Sequence, residues 1–293
     1  MYSSEIPLPL ISKFDPWHSS LCTCPSKLTF NPYTGCDHSC IYCYASSYIL
    51  RFDDCMPKKN LLPRLEKEAQ KLKGETLSIA NSSDPYPNVE AEKGLMRHCL
   101  EILSRSNCKI QIITKSTIVQ RDMDLLSRIP SMVAVTITTL NEDDARLIEP
   151  YAPSPAARIE TVEALVDKGI PVAARIDPVI PGFNDNSEEL VKTLASIGVK
   201  HVTSSTYKVK PDNWRRFRAA LPDVAEKLRP LYFDVGVKLE GSIFLPKQLR
   251  FDLMTRMRSL ADKCHMRFGV CREGLSQLNT ASCDGSWLLK NGC

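Results

Sequence analysis

Short apolar runs alternate with amphipathic segments from residue 28 to residue 206, and this alternation predicts an α/β protein with parallel strands. Two other features shape the expectation. A loop with three cysteines, NPYTGCDHSCIYCYA at 31–45, follows the first run, and four more cysteines crowd the last thirty residues.

Six runs read as strands: LTFNPY (28–33), TLSIAN (76–81), IQIITK (110–115), MVAVTITT (132–139), PVAARIDPVI (171–180) and HVTSST (201–206). Between them lie helical patterns. Leu62, Leu65, Ala69 and Leu72 recur at helical spacing, with Pro63 in the first turn and Gly74 just past the end. Further helices are expected over about 88–104 and near 121–128. Ser154-Pro155 caps a helix that stops at Gly169, and Ser187 caps one that stops at Gly198. Beyond residue 207 the rhythm weakens to a helix over about 213–228, a strand at 241–246, a helix through Leu249 and Ala261, and a last short strand at 267–271. Both a doubly wound sheet and an incomplete barrel fit the alternation. In either, functional groups gather on the rim where strands end. That rim receives the cysteine loop, Asn81-Ser82-Ser83-Asp84, Lys115, Thr138-Thr139 and the 177–186 loop.

The chain has 293 residues, 43% apolar and 25% charged, which suits one large domain or a domain with an appendage. Its formal charge of +4 permits an anionic partner without demanding one. No apolar run is long enough to cross a bilayer, and the N-terminus lacks a basic start followed by an apolar block, so a cytoplasmic protein without membrane contact is expected. Twelve cysteines then point to metal rather than disulfides, because they cluster and the cytosol is reducing. Cys55, Cys99 and Cys108 stand alone and read as packing residues. No glycine-rich phosphate loop appears, so nucleoside triphosphate hydrolysis is not indicated.

Cys36, Cys40 and Cys43 are spaced C-x3-C-x2-C with no obvious fourth ligand. A structural zinc site closes with four ligands, which Cys22 or Cys24 would have to complete. A four-iron cubane held at three corners instead leaves one iron open to a small chelating molecule. His38 lies between the ligands and is expected to face solvent.

This motif, with aromatic Tyr42 before the last cysteine, resembles the signature of the radical S-adenosylmethionine (SAM) superfamily. The likeness covers about residues 28–206 and is greatest to uncharacterised relatives of spore photoproduct lyase. It is carried by NPYTGCDHSCIYCYA, SSDPYPNVE, IITKSTIVQRDMDLL, VAVTITTLNEDDARLIEPYAPSPAARIETVEALVDKGIPV and PVIPGFND. It implies a partial (β/α)6 barrel of the TIM type over 28–210, with an N-terminal extension at 1–27 and a cysteine-rich C-terminal extension at 211–293.

The resemblance also implies roles. Cys36, Cys40 and Cys43 would hold a 4Fe–4S cluster, and Tyr42 would lie along the adenine of SAM. Ser82, Ser83 and Asp84 replace a Gly-Gly-Glu that receives the methionine amino group. Lys115 and Arg175 are candidates for its carboxylate, Thr138 for the ribose, and Pro181-Gly182 for the adenine pocket. From the residues alone, Asp84 before Pro85 also reads as a turn former, Lys115 as a solvated strand end and Arg175 as half of a structural ion pair. The repair enzyme carries a hydrogen-returning cysteine just before this Ser/Asp; here the segment is Ala80-Asn81-Ser82-Ser83-Asp84, without a thiol.

Cys264, Cys271 and Cys283 are the candidates for a second iron–sulfur cluster, with Cys293, Cys22 or Cys24 as a fourth ligand; zinc or unligated thiols are the alternatives. Lys208, Lys210, Arg215, Arg216 and Arg218, interleaved with Trp214 and Phe217, read either as a nucleic-acid contact or as the charged face of an amphipathic helix. The expected protein is an enzyme that cleaves SAM to a 5′-deoxyadenosyl radical, uses a reductant such as ferredoxin or flavodoxin, and abstracts hydrogen from a nucleic acid or nucleotide. Its subclass, lyase, transferase or oxidoreductase, stays open. The rivals are a peptide-modifying enzyme with an auxiliary cluster and a non-catalytic, metal-braced nucleic-acid binder.

Overall fold

The computed structural model describes residues 8–14 and 19–290. Its centre is a sheet of β1 (Ile11–Lys13), β2 (Leu28–Phe30), β3 (Lys73–Ile79), β4 (Asn107–Thr114), β5 (Ser131–Thr136), β6 (Val172–Val179), β7 (His201–Thr206) and β8 (Arg267–Val270). β1 is antiparallel to β2, and every later pair is parallel. The strands stand in the sheet in sequence order. A doubly wound sheet reverses its order at a switch point; this one never does, so it curls into an incomplete α/β barrel. The short strand from the C-terminal region joins it, since Arg267 to Val270 pair with His201 to Ser204, and the sheet therefore continues past the expected boundary at residue 210.

Eight helices of seven residues or more accompany the sheet among the described residues: α1 (Leu61–Ala69), α2 (Leu95–Leu103), α3 (Glu142–Ile148), α4 (Pro155–Asp167), α5 (Glu188–Ile197), α6 (Pro211–Ala220), α7 (Pro222–Phe233) and α8 (Lys247–Lys263). Ser154 caps α4 as its sequence suggests, accepting from the Ala157 amide at 3.2 Å. The helix expected over 213–228 divides in two because Pro222 disfavours helical backbone at Leu221 before it. α3 was not anticipated. Asn141 accepts from the Asp144 amide at 2.9 Å, and three acidic residues in its first turn suit the positive end of the helix dipole.

Outward side chains such as Ile110, Ile112, Val133, Val135 and Val172 join the main core with the helices. Inward residues alternate with them, as the period of a strand requires. Along β6 the inward series runs Ala173, Arg175, Asp177, and along β7 His201, Thr203, Ser205, so the lumen changes from apolar at the floor to charged at the rim. The floor is closed by the C-terminal segment: Leu288 and Leu289 pack on Met132, Ala134 and Ala173. The Trp287 indole donates to His201 Nδ1 at 3.2 Å, and burial lowers the His201 pKa to about 4, which leaves the ring neutral.

The two sheet edges, β1 and β8, do not pair with each other. Residues from both ends of the chain meet between them: Asn279 donates to Thr23 at 3.4 Å, Lys27 pairs with Asp284 at 2.6 Å, and the sulfurs of Cys24 and Cys283 lie 3.4 Å apart.

Gly285 turns the C-terminal segment into the lumen at φ +79°, where an added Cβ would lie 2.9 Å from the Ala173 Cβ. Gly285→Ala should therefore destabilise the protein by about 2 kcal/mol. Urea unfolding followed by tryptophan fluorescence reads this directly through Trp287.

Candidate active site

The cysteine loop leaves β2 at the C-terminal rim and has little regular structure, so outside groups hold it. Gly35 takes φ +83°, and a Cβ there would sit 2.4 Å from the Phe52 carbonyl; the next amide, of Cys36, donates to that carbonyl at 2.8 Å. The Ile41 amide donates to Ile148 at the end of α3 at 3.0 Å, and the Cys43 amide turns back to Cys40 at 3.1 Å. All three thiols line one cavity of about 520 Å³. Burial pushes Cys40 up to about 12 and raises Cys36 and Cys43 as well.

Below the loop lies a buried charged cluster. Glu149 pairs with Arg158 at 2.6 Å, lies 4.0 Å from Lys115, and accepts a short hydrogen bond from the Tyr42 hydroxyl. Burial alone would raise the Glu149 carboxyl; Arg158 and Lys115 overcome it and hold the group below the usual carboxylate range. Burial also works against the Lys115 ammonium, and Cys40 and Glu149 more than offset it. Lys115 therefore stays charged, 5.6 Å from the centre of the Tyr42 ring, and is no solvated strand end.

Asp84 is both a turn former and a cross-link. It accepts from the Tyr86 amide at 2.9 Å, the Thr114 hydroxyl at 2.6 Å and the Lys115 amide at 2.8 Å, and stands 3.6 Å from His38. His38 does not face solvent as expected: it is 2% exposed, and burial lowers its pKa. Ser82 and Ser83 line the cavity, as does Arg175, which pairs with Asp177 at 2.5 Å. Thr138 opens instead on a separate pocket of about 220 Å³ beside Asn184, while Thr136 and Pro178 occupy the cavity positions expected of Thr138 and Pro181-Gly182.

Among the described residues no three His, Cys, Asp or Glu side chains converge on a point that one ion would fill. A tetrahedral zinc site needs such convergence, with sulfurs about 2.3 Å from the metal. Thiolates of a cubane each bind a different iron and stand further apart. Three thiols on one loop around a cavity fit that second geometry.

Residues 30–221 match the family model of the radical SAM superfamily. The chain belongs to the radical SAM superfamily. Membership implies a 4Fe–4S cluster and SAM, and an enzyme rather than a passive binding module. Uncharacterised proteins are among its relatives: one of Mycobacterium tuberculosis is 29% identical over 197 residues, covering 62% of this chain and 58% of that protein. One of Methanocaldococcus jannaschii is 32% identical over 166 residues, covering 55% and 63% respectively. The chain thus spans under two thirds of either relative. Among solved structures, a spore photoproduct lyase mutant with bound AdoMet and dinucleoside spore photoproduct matches at TM-score 0.66 and 14% identity, over 83% of this chain and 75% of that one. The radical SAM methyltransferase TsrM from Kitasatospora setae, with a tryptophan substrate, matches at 0.56 and 11% identity, over 90% and 58%. At such identities the likeness is one of fold.

The expected grouping of the tail cysteines needs correction. Cys271 and Cys283 line the cavity of this radical SAM enzyme, and Cys22 and Cys24 line it too. Cys264 does not; it caps the C-terminal end of α8. Cys293 lies outside the described residues.

The basic stretch does not present all its charges on one outer face. Lys208 turns inward to Glu273 at 2.8 Å, and Arg216 reaches the cysteine loop, donating to the Cys43 carbonyl at 2.9 Å. Trp214 and Phe217 stack on each other at 5.8 Å, and Phe217 stacks on Tyr207 at 4.9 Å. Arg215 is exposed and pairs with Asp212 at 3.0 Å.

Glu149, Arg158 and Glu273 received no role from the sequence, and Arg216 reads there only as a nucleic-acid contact or a helix-face charge, not as a partner of the cysteine loop. Glu149 and Arg158 sit within a segment that carried the family resemblance, EPYAPSPAAR, but nothing local marks them as partners of Tyr42. Glu149→Gln leaves Arg158 buried without a counter-charge and should cost about 3–5 kcal/mol in urea unfolding. The double variant Glu149→Gln/Arg158→Met should recover part of that loss.

Proposed function

We propose that this radical SAM enzyme abstracts hydrogen from a polar but uncharged group, the first candidate being the base of a nucleotide or nucleic acid whose phosphates stay outside the cavity. The observation that carries this reading is the charge balance around the thiol loop. Five of the six lysines and arginines that line the cavity, Lys27, Lys115, Arg175, Lys208 and Arg272, each stand within 4.0 Å of a carboxylate; the sixth is Lys13, at the exposed edge. Cations already paired in this way have less charge to offer a phosphate than free ones would. The spore photoproduct lyase complex, whose ligand is a dinucleoside, supports the choice of a base.

In this reading Cys36, Cys40 and Cys43, which line the cavity, would hold the cluster. Such a cluster, when bound and reduced by an external donor, would supply the electron for reductive cleavage of SAM. Tyr42, fixed through its hydroxyl by Glu149, presents a ring that cannot swing away from the site. Lys115 and the Arg175–Asp177 pair are the groups available to the methionine carboxylate and amine. Ser205, which donates to Asp177 at 2.5 Å, keeps that carboxylate aimed.

A second reading, a peptide-modifying enzyme with another cluster, is favoured by the meeting of Cys24 and Cys283 with Cys22 beside them and Cys271 on the same cavity. Desolvation and its neighbours Cys22 and Cys283 bear on Cys24, which is raised overall, so an incoming metal would have to displace protons there.

Anaerobic protein, reduced and given SAM, should release 5′-deoxyadenosine, and Cys40→Ala should abolish it. Nucleosides or short oligonucleotides should accelerate release and peptides should not; acceleration by peptides alone would overturn the nucleobase reading. Reconstituted protein should hold about four irons if one cubane is present and about eight if there are two. In the second case Cys24→Ser/Cys283→Ser should return the count to about four.

A further inference from the structure

We infer that Arg216 is a positioning residue for the cluster: it clamps the loop at the carbonyls of two of the three ligand residues, Cys40 and Cys43, and sets a fixed positive charge behind them. The inference rests on the radical SAM assignment and extends it to a residue outside the cysteine motif. Arg216 Nη1 donates to the Cys40 carbonyl at 2.5 Å, and Nη2 donates to the Cys43 carbonyl at 2.9 Å and to the Ser46 hydroxyl at 2.5 Å. Asp212, one turn earlier on α6, accepts from Arg216 at 3.1 Å and from the Ser46 hydroxyl at 2.8 Å, which aims both groups. Asn213, fully buried on the same helix, donates to the Tyr42 carbonyl at 3.1 Å and to the Lys208 carbonyl at 3.0 Å. Helix α6 thus takes hold of three carbonyls between residues 40 and 43, from a point more than 160 residues away in sequence.

A guanidinium is suited to this work. Its planar fork grips two carbonyls at once, which a single ammonium does not. Bonds to charged donors are also the stronger ones. The loop has few backbone bonds of its own, so losing the fork frees the ligand carbonyls to rotate. Groups behind metal ligands commonly govern metal affinity by about 10- to 100-fold. Net charge and hydrogen bonding near an iron–sulfur cluster set its potential. A cation at this place favours the reduced, more negative state, and the Asp212 carboxylate tempers it.

The test uses full-length protein, reconstituted without air, as wild type, Arg216→Gln, Arg216→Lys and Arg216→Gln/Asp212→Asn. The readouts are the rate of iron release to a ferrous chelator and the cluster midpoint potential from a titration followed by electron paramagnetic resonance. Arg216→Gln should release iron about ten-fold faster, with a more negative midpoint. The double variant restores the local charge without the fork, so its midpoint should return towards wild type while iron release stays fast. Arg216→Lys should keep the midpoint and still lose iron faster; it decides the matter alone if Arg216→Gln fails to fold. Wild-type release and midpoint in the variants would overturn the inference and leave the radical SAM assignment standing. Wild-type protein that takes up no iron would bring down both.

Discussion

A carboxylate buried under the cysteine loop sets the conditions for the rest of the site. Glu149 is surrounded by Arg158, Lys115 and the Tyr42 hydroxyl. Removing water from so many charges is costly, and the arrangement persists because each charge has a partner at close range. It joins the cysteine loop, the end of β4 and helix α4, three pieces that chain connectivity alone does not bring into register. With Asp84 linking the loop after β3 to the end of β4, it converts an irregular segment into a rigid one. If the three thiols hold one multi-iron group, as proposed, the loop cannot rely on its own backbone for that precision.

The barrel supplies the matching half. Strict alternation along β6 and β7 sorts the lumen into an apolar floor and a charged rim, so the depth of the cavity follows from residue spacing alone. The floor is closed by a segment remote in sequence, and residues from both ends of the chain lie between the unpaired edges. The result is a cavity with a closed floor and thiols at two places on its wall.

Much of this was legible in the amino-acid order. The parallel strands, the caps at Ser154 and the position of the thiol loop follow from local periodicity and turn chemistry, which depend on neighbours in sequence. The choice between two sheet topologies does not, because strand order is a property of tertiary packing. The family likeness, not periodicity, pointed to the barrel. Pairings such as Lys208 with Glu273, or Arg216 with the loop, link residues on separate elements, and a basic run looks the same whether its members turn outward or inward. The cysteines illustrate the same limit. Cys264 and Cys271 are close in sequence yet lie on opposite ends of a connection, one at the end of α8 and one at the cavity, whereas Cys24 and Cys283 touch across nearly the whole chain.

That contact between distant segments has a bearing on biosynthesis. On the ribosome, the cysteine loop emerges well before the residues that plug the barrel. Until Leu288 and Leu289 settle onto Met132 and Ala173, the lumen beneath the loop is open to water from below. An oxygen-sensitive inorganic cofactor inserted before then would sit in a leaky vessel, so its delivery is best timed after this plug has formed.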